Sequence, residues 1–183
     1  MNIILVPGTW ANTDRNAPQD EWWKLGSPFV NELVKRGHKV YSFAWDTELE
    51  GLVGSNEHWS IAGKRLGLTT LIDPTVIAHS HGGQVATYAA VKGLRINKLV
   101  TLSTPVRSDV PYKKARLSIY QWIHVYGNYT DYMQIAGSIL DGKFNWFRRQ
   151  MKYADTNIKI EGDHTSTHSI ETWDKYKLWE VLD

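Results

Sequence analysis

Apolar residues recur along this chain in two rhythms that take turns. Short runs of aliphatic and aromatic residues occupy Asn2 to Val6, Lys39 to Trp45, Thr75 to Ala78, Lys98 to Ser103, Ser118 to Tyr126 and Thr156 to Glu161. Their length and β-branched content predict six strands. Between them apolar residues return at helical spacing. Glu21 to Arg36 carries a stripe of Trp22, Trp23, Leu25, Phe29, Val30, Leu33 and Val34, followed by the C-cap candidate Gly37, with Pro28 marking either a kink or the true start. Glu57 to Ile72, closed by Asp73 and Pro74, is a second helix, and Gln84 to Ala90, ending near Gly93, is a third. Ile170 to Leu182, with Trp173, Tyr176, Leu178, Trp179 and Leu182, reads as a closing helix. Strands alternating with helices, without repeats or low-complexity linkers, define an α/β protein.

The stretch richest in chemistry is Thr75 to Ala90, TVIAHSHGGQVATYAA, which reads strand, tight turn, helix with Ser80 at the turn. A serine there is held in a strained backbone conformation with its hydroxyl over the end of a parallel sheet. The residues two before and two after it must be small because strand and helix pass close together, and Ala78 and Gly82 meet that demand. The N–H of His81, at the helix N-terminus, points where negative charge develops on an attacked carbonyl. The competing reading is a serine in an ordinary strand-to-helix loop.

Composition narrows the picture. A chain of 183 residues with 42% hydrophobic content is expected to fold as one domain over residues 1–183. The net charge of +2, without a clustered basic stripe, argues against nucleic acid. Nine Trp and nine Tyr suit either core packing or an aromatic cleft for an apolar substrate group. There is no cysteine, hence no disulfide framework. Met1 to Val6 runs into Pro7 and Gly8 without the features of a signal peptide, and no run approaches a membrane span, so a cytoplasmic location is expected.

AHSHG resembles the nucleophile elbow of the α/β-hydrolase family, with Ala78 in place of the usual first glycine, as in the minimal-size bacterial lipases. VTLSTP, ending the fourth strand, resembles the corresponding segment of lipase-like members. The resemblance implies a three-layer sandwich of about six mostly parallel strands in the order 2-1-3-4-5-6 with helices on both faces, and this sequence carries no insertion long enough to be a helical lid after Ser103. It also implies a catalytic triad of Ser80, Asp131 and His164 in the family's chain order. Asp131 lies in GNYTD after the fifth strand, where an N-capping aspartate is the alternative. Asp141 and Asp155 are fallback acids. His164, directly after the last strand in GDHTSTHS, is preferred as base over His168. Carried over to Pro7-Gly8-Thr9-Trp10, the resemblance makes Thr9 the second oxyanion donor, with Trp10 as competitor and a plain Pro-Gly turn as the bland reading. The implied activity is that of a carboxylesterase or lipase-like hydrolase, acting without a cofactor on a small-molecule or lipid ester.

Other readings stay open. His79, His81, His164 and His168, with Asp163 beside them, supply enough ligands for a zinc site, and a hydrolase fold can serve only for binding. Ala11 to Asp20 and Asp46 to Asn56 are loops. Val106 to Arg116, with Lys113, Lys114 and Arg116, is expected to be a solvated basic loop. Ala136 to Met151 mixes Phe144, Trp146 and Phe147 with Lys143, Arg148 and Arg149, as a helix with inward aromatics or a short lipid-surface patch. Oligomeric state has no signature.

Overall fold

A computed structural model describes residues 1–9, 21–45, 55–128 and 149–183. Six parallel strands form one sheet in the order β2-β1-β3-β4-β5-β6: β1 Asn2–Val6, β2 Lys39–Ser42, β3 Thr75–His79, β4 Ile96–Leu102, β5 Ile119–Tyr126 and β6 Thr156–Lys159. The α-helices among the described residues are α1 (Pro28–Lys35), α2 (Asn56–Gly67), α3 (Gly82–Val91), α4 (Tyr112–Ala115) and α5 (Ile170–Lys175).

Register divides the core in two. Leu5 pairs with Ile77, Ile77 with Val100 and Val100 with Ile123, and this row faces Phe29, Val30 and Leu33 of α1, Trp173 of α5, and the C-terminal Trp179 and Leu182. Neighbouring strand residues point the opposite way, so Ile4, Val76, Ala78 and Leu99 face Trp59 and Ala62 of α2, Val85 and Ala89 of α3, and Tyr112 of α4. The central strands are covered on both faces, which explains their nearly unbroken apolar runs. All seven described tryptophans are buried. For these the core reading of the aromatic content holds.

Several boundaries differ from the sequence reading. The first helix begins at Pro28, because Ser27 caps it by accepting from the Val30 N–H and proline suits the first helical position; residues 21–27 form turns. The closing helix breaks where Lys177 turns left-handed (φ 52°), leaving α5 and a 3-10 turn at Leu178–Val181. The basic loop is less solvated than its lysines suggest: it contains α4, and Arg107, Val110, Tyr112 and Ala115 are buried. Asp131, Asp141 and Trp10 lie outside the described residues, as does most of Ala136 to Met151. Among the described residues no helix is long and apolar enough to cross a membrane.

A buried polar chain crosses the sheet beside the core. The Trp122 indole donates to Thr101 Oγ1 (3.1 Å), the Thr101 hydroxyl meets His124 Nδ1 (2.9 Å), and His124 donates from Nε2 to the Arg149 carbonyl (2.9 Å). Burial pushes the His124 pKa from 6.5 down to about 4. Between those values an unfolded chain takes up a proton that the native protein refuses. Stability is therefore expected to be full above about pH 6.5 and to fall by up to about 3 kcal/mol as the pH drops to about 4. His168, also pushed to about 4, and the buried His79 act with the same sign. Urea midpoints at pH 7, 5.5 and 4.5 check this; a flat midpoint would refute it.

Candidate active site

The C-terminal ends of the parallel strands carry the polar residues, as open α/β sheets do. β3 ends at His79, and the chain turns through Ser80 and His81 into α3. Ser80 has φ 52°, a left-handed conformation that costs a residue with a side chain roughly 1 kcal/mol. Its N–H donates to the Leu102 carbonyl of β4 (2.8 Å), and its own carbonyl accepts from the Gly83 N–H (3.0 Å). The bend is thus anchored to the sheet on one side and to the helix on the other. It is also tightly enclosed, with Ser80 9% exposed.

The glycines show why the bend accepts so few residues. A Cβ on Gly82 would lie 2.4 Å from the Pro7 carbonyl oxygen and 2.5 Å from that of Val6. α3 therefore enters directly over the end of β1. A Cβ on Gly8 would lie 2.7 Å from Ser80 Cβ, so the turn after β1 runs alongside the serine. The Trp45 indole donates to the Pro7 carbonyl (2.8 Å) and holds that turn in place. Thr9 follows, and its Oγ1 is hydrogen-bonded with His81 Nδ1. The backbones of the two expected oxyanion donors thus reach one corner from separate strands.

Strand parity decides what each histidine touches. His79 shares the face of Ile77, which looks toward α1 and the C-terminal segment. There its ring meets His164 (centroids 4.7 Å) and His168 (4.6 Å, edge-on), with Trp22 beside them (6.2 Å). His79 Nε2 donates to the His164 carbonyl (3.0 Å), which brings the loop after β6 against the residue preceding Ser80. Burial, with the neighbouring His168 and His164, drives the His79 pKa well below 6.5 and keeps the ring neutral.

The His164 loop is a preformed turn. Asp163 Oδ1 accepts from the N–H groups of Thr165 (3.0 Å) and Ser166 (2.8 Å) and from both their hydroxyls. The Ser166 hydrogen bond, foremost, holds the Asp163 carboxyl below its ordinary range. Thr167 ties the turn down: its hydroxyl donates to the His164 carbonyl (3.3 Å), and its own carbonyl accepts from the Trp173 indole (2.8 Å). A Cβ on Gly127 would lie 2.8 Å from the Gly162 carbonyl oxygen, so the exit of β5 runs against this same loop. His168 differs from His164 in its surroundings. It stacks on Trp22 (5.2 Å, 14° between planes), and burial lowers its pKa to about 4.

Two sequence alternatives fare poorly. Asp155 precedes β6, at the end of the sheet away from Ser80, and its carboxylate accepts from Arg116 (2.6 Å) and the Trp122 N–H (2.7 Å). It is a strand-edge anchor and not a fallback acid. Among the described residues no group of three or more His, Cys, Asp and Glu is placed to hold a metal ion. His81 is bonded with Thr9 and lies on Trp59 (4.9 Å), whereas His79 spends its Nε2 on a carbonyl. Reading residues by type alone missed what His79 and Trp22 do. The signal was available: alternation along β3 puts His79 on the face that the C-terminal segment covers.

No family model matches the chain, and no curated protein matches it in sequence. Solved structures do match over nearly the whole length. An extracellular α/β-hydrolase from a Paenibacillus species superposes with a TM-score of 0.59 at 15% identity, covering 98% of this chain and 97% of that one. The monoacylglycerol lipase of Paleococcus ferrophilus gives 0.58 at 14% identity, covering 99% and 92%. The mature Bacillus licheniformis lipase BlEst2 gives 0.62 at 12% identity, covering 99% and 91%. With its sheet order and its two helical layers, the chain has the α/β-hydrolase fold. Likeness at such identity defines architecture; the chemistry is argued from the site.

Proposed function

We propose that this protein is a serine hydrolase that cleaves carboxylic esters through an acyl-enzyme. The observation that carries the reading is Ser80 at φ 52° between a parallel strand and a helix N-terminus, next to a histidine bonded to the loop of His164. Ser80 Oγ attacks the ester carbonyl carbon while His164 takes the hydroxyl proton. The tetrahedral intermediate collapses, and the same proton passes to the departing alcohol. Water, deprotonated by His164, then attacks the acyl-enzyme, releases the acid and restores Ser80. Asp131 orients the imidazole and stabilises its charged form.

The N–H groups of His81 and Thr9 hold the oxyanion, each worth about 3 kcal/mol in the transition state. His164 is preferred over His168 because the His168 ring is stacked on Trp22 and meets His79 edge-on, and burial, by lowering its pKa to about 4, makes it a weak base at neutral pH. The chemistry requires no cofactor. An ester substrate is further supported by the neighbours in fold that are named as lipases.

Reaction with a fluorophosphonate probe followed by peptide mapping tests the proposal. A single adduct on Ser80, lost in Ser80→Ala together with ester turnover, is expected. An unlabelled Ser80, or full turnover by Ser80→Ala, would overturn it.

A further inference from the structure

The side chains of Thr9 and His81 play no part in that mechanism, which uses only their backbone N–H groups, yet the two are bonded to each other across 72 positions of sequence. Thr9 ends the turn after β1, and His81 caps α3. The sheet, the packing of Gly82 over β1 and the Trp45 bond to Pro7 fix the base of the turn, and the contact between these two side chains ties its far end to the start of α3.

The His81 ring is itself held from behind. It lies against Trp59 of α2, which is fully buried, at 4.9 Å between centroids. The Arg107 guanidinium sits over the Trp59 ring at 5.0 Å. Arg107 is fixed in turn by two bonds to Asp109 (3.0 and 2.9 Å), and Asp109 also accepts from Asn56 at the start of α2 (2.8 Å). Tyr88 of α3 closes the set by donating to Asn56 Oδ1 (3.1 Å). An imidazole wedged this way keeps Nδ1 in one place, and the Thr9 side chain is hydrogen-bonded with it there.

We propose that the Thr9 and His81 side chains form a latch that sets the width of the oxyanion hole, making both positioning residues through atoms other than their N–H donors. The inference rests on the hydrolase reading and extends it. An oxyanion gains from its donors only when both lie about 2.7–3.1 Å from the position it will occupy. A shift of about 1 Å costs on the order of a hundredfold in rate. With the latch gone, both N–H groups remain and Pro7 stays held by Trp45, but the Thr9 end of the turn loses this tie to α3. The loss then falls on the transition state, where the negative charge exists, and hardly on substrate binding.

The test uses Thr9→Val, which keeps the branched shape and removes the hydroxyl, Thr9→Ser, which restores it, His81→Phe, which keeps a ring on Trp59, and the double variant Thr9→Val/His81→Phe. Each is assayed for kcat and KM on a soluble p-nitrophenyl ester, and for inhibition by a trifluoromethyl ketone as transition-state analogue. Thr9→Val and His81→Phe should each lower kcat about tenfold with KM within about twofold, and weaken the ketone in proportion to kcat. Thr9→Ser should recover most of the rate, and the double variant should be no worse than either single one, since a bond can be lost only once.

Wild-type kcat in Thr9→Val, a defect in Thr9→Ser as large as in Thr9→Val, or additive losses in the double variant would each overturn the latch while leaving the hydrolase reading intact. If the parent protein neither turns over esters nor labels on Ser80, the hydrolase reading fails, and the latch fails with it.

Discussion

His164→Ala is expected to slow ester turnover by about four orders of magnitude, the scale on which disabling one member of a triad acts. His168→Phe, only four positions on, should stay within about tenfold of the parent. The contrast follows from what each ring does. His168 stacks on Trp22 and meets His79 edge-on, and burial strips it of basicity near neutral pH, so a phenyl ring reproduces most of its contribution. His164 sits at the start of a turn already built by Asp163, and that turn survives a change of side chain because its bonds run from Asp163 Oδ1 to Thr165 and Ser166. His164→Ala should therefore fold normally and bind substrate with KM little changed. Steady-state kinetics with circular dichroism as the folding control decide the matter. Should His168→Phe prove the silent enzyme and His164→Ala the active one, the base assignment would have to be exchanged.

The second large effect is structural. Gly82→Ala is expected to cost about 3 kcal/mol or more and to lower Tm by roughly 6–12 °C for a chain of this size. The added methyl would meet two backbone carbonyls of the β1 exit at 2.4 and 2.5 Å, and neither can rotate away as a side chain would. Relief requires α3 to lift off β1, which also displaces Ser80, so activity should fall further than stability alone explains. Gly83→Ala is the instructive comparison. The atoms nearest its methyl would all belong to the Thr104 side chain, Oγ1 at 2.1 Å and Cγ2 at 2.5 Å. Thr104→Gly should therefore rescue much of the Gly83→Ala defect, whereas trimming one side chain has no such remedy to offer Gly82→Ala. Thermal melts of the single and paired variants measure this. Equal tolerance of alanine at both positions would mean that α3 is free to slide, and the account of the bend would need revision.

What the chain's sequence made legible follows from local physics. The four inner strands were legible because a strand buried on both faces must be apolar at nearly every position, and β1 matches its expected limits from Asn2 to Val6; the more exposed edge strands β2 and β6 end at Ser42 and Lys159, short of the expected Trp45 and Glu161. The bend at Ser80 was legible because the steric demand is short-range: small residues two positions either side, then a helix. Helix ends were less so. The stripe from Trp22 to Leu25 continues the spacing of the first helix, but Ser27 and Pro28 begin that helix later, and a capping bond overrides periodicity. The left-handed Lys177 that divides the C-terminal stripe left no mark in the hydrophobic pattern.

Contacts between distant segments were settled by the tertiary structure alone. Nothing in the spacing of residues says that His79 donates to the carbonyl of His164, that Thr9 meets His81, that Asp155 is consumed at the wrong end of the sheet, or that Arg107 is buried over Trp59. Sequence determines which face of a strand or helix a side chain takes, because that depends on a period of two or of 3.6 residues. The order of the strands was expected from the resemblance and is the one observed, but which partner waits on a given face depends on their register and on how the loops fold back, and those emerge only when all six pack together.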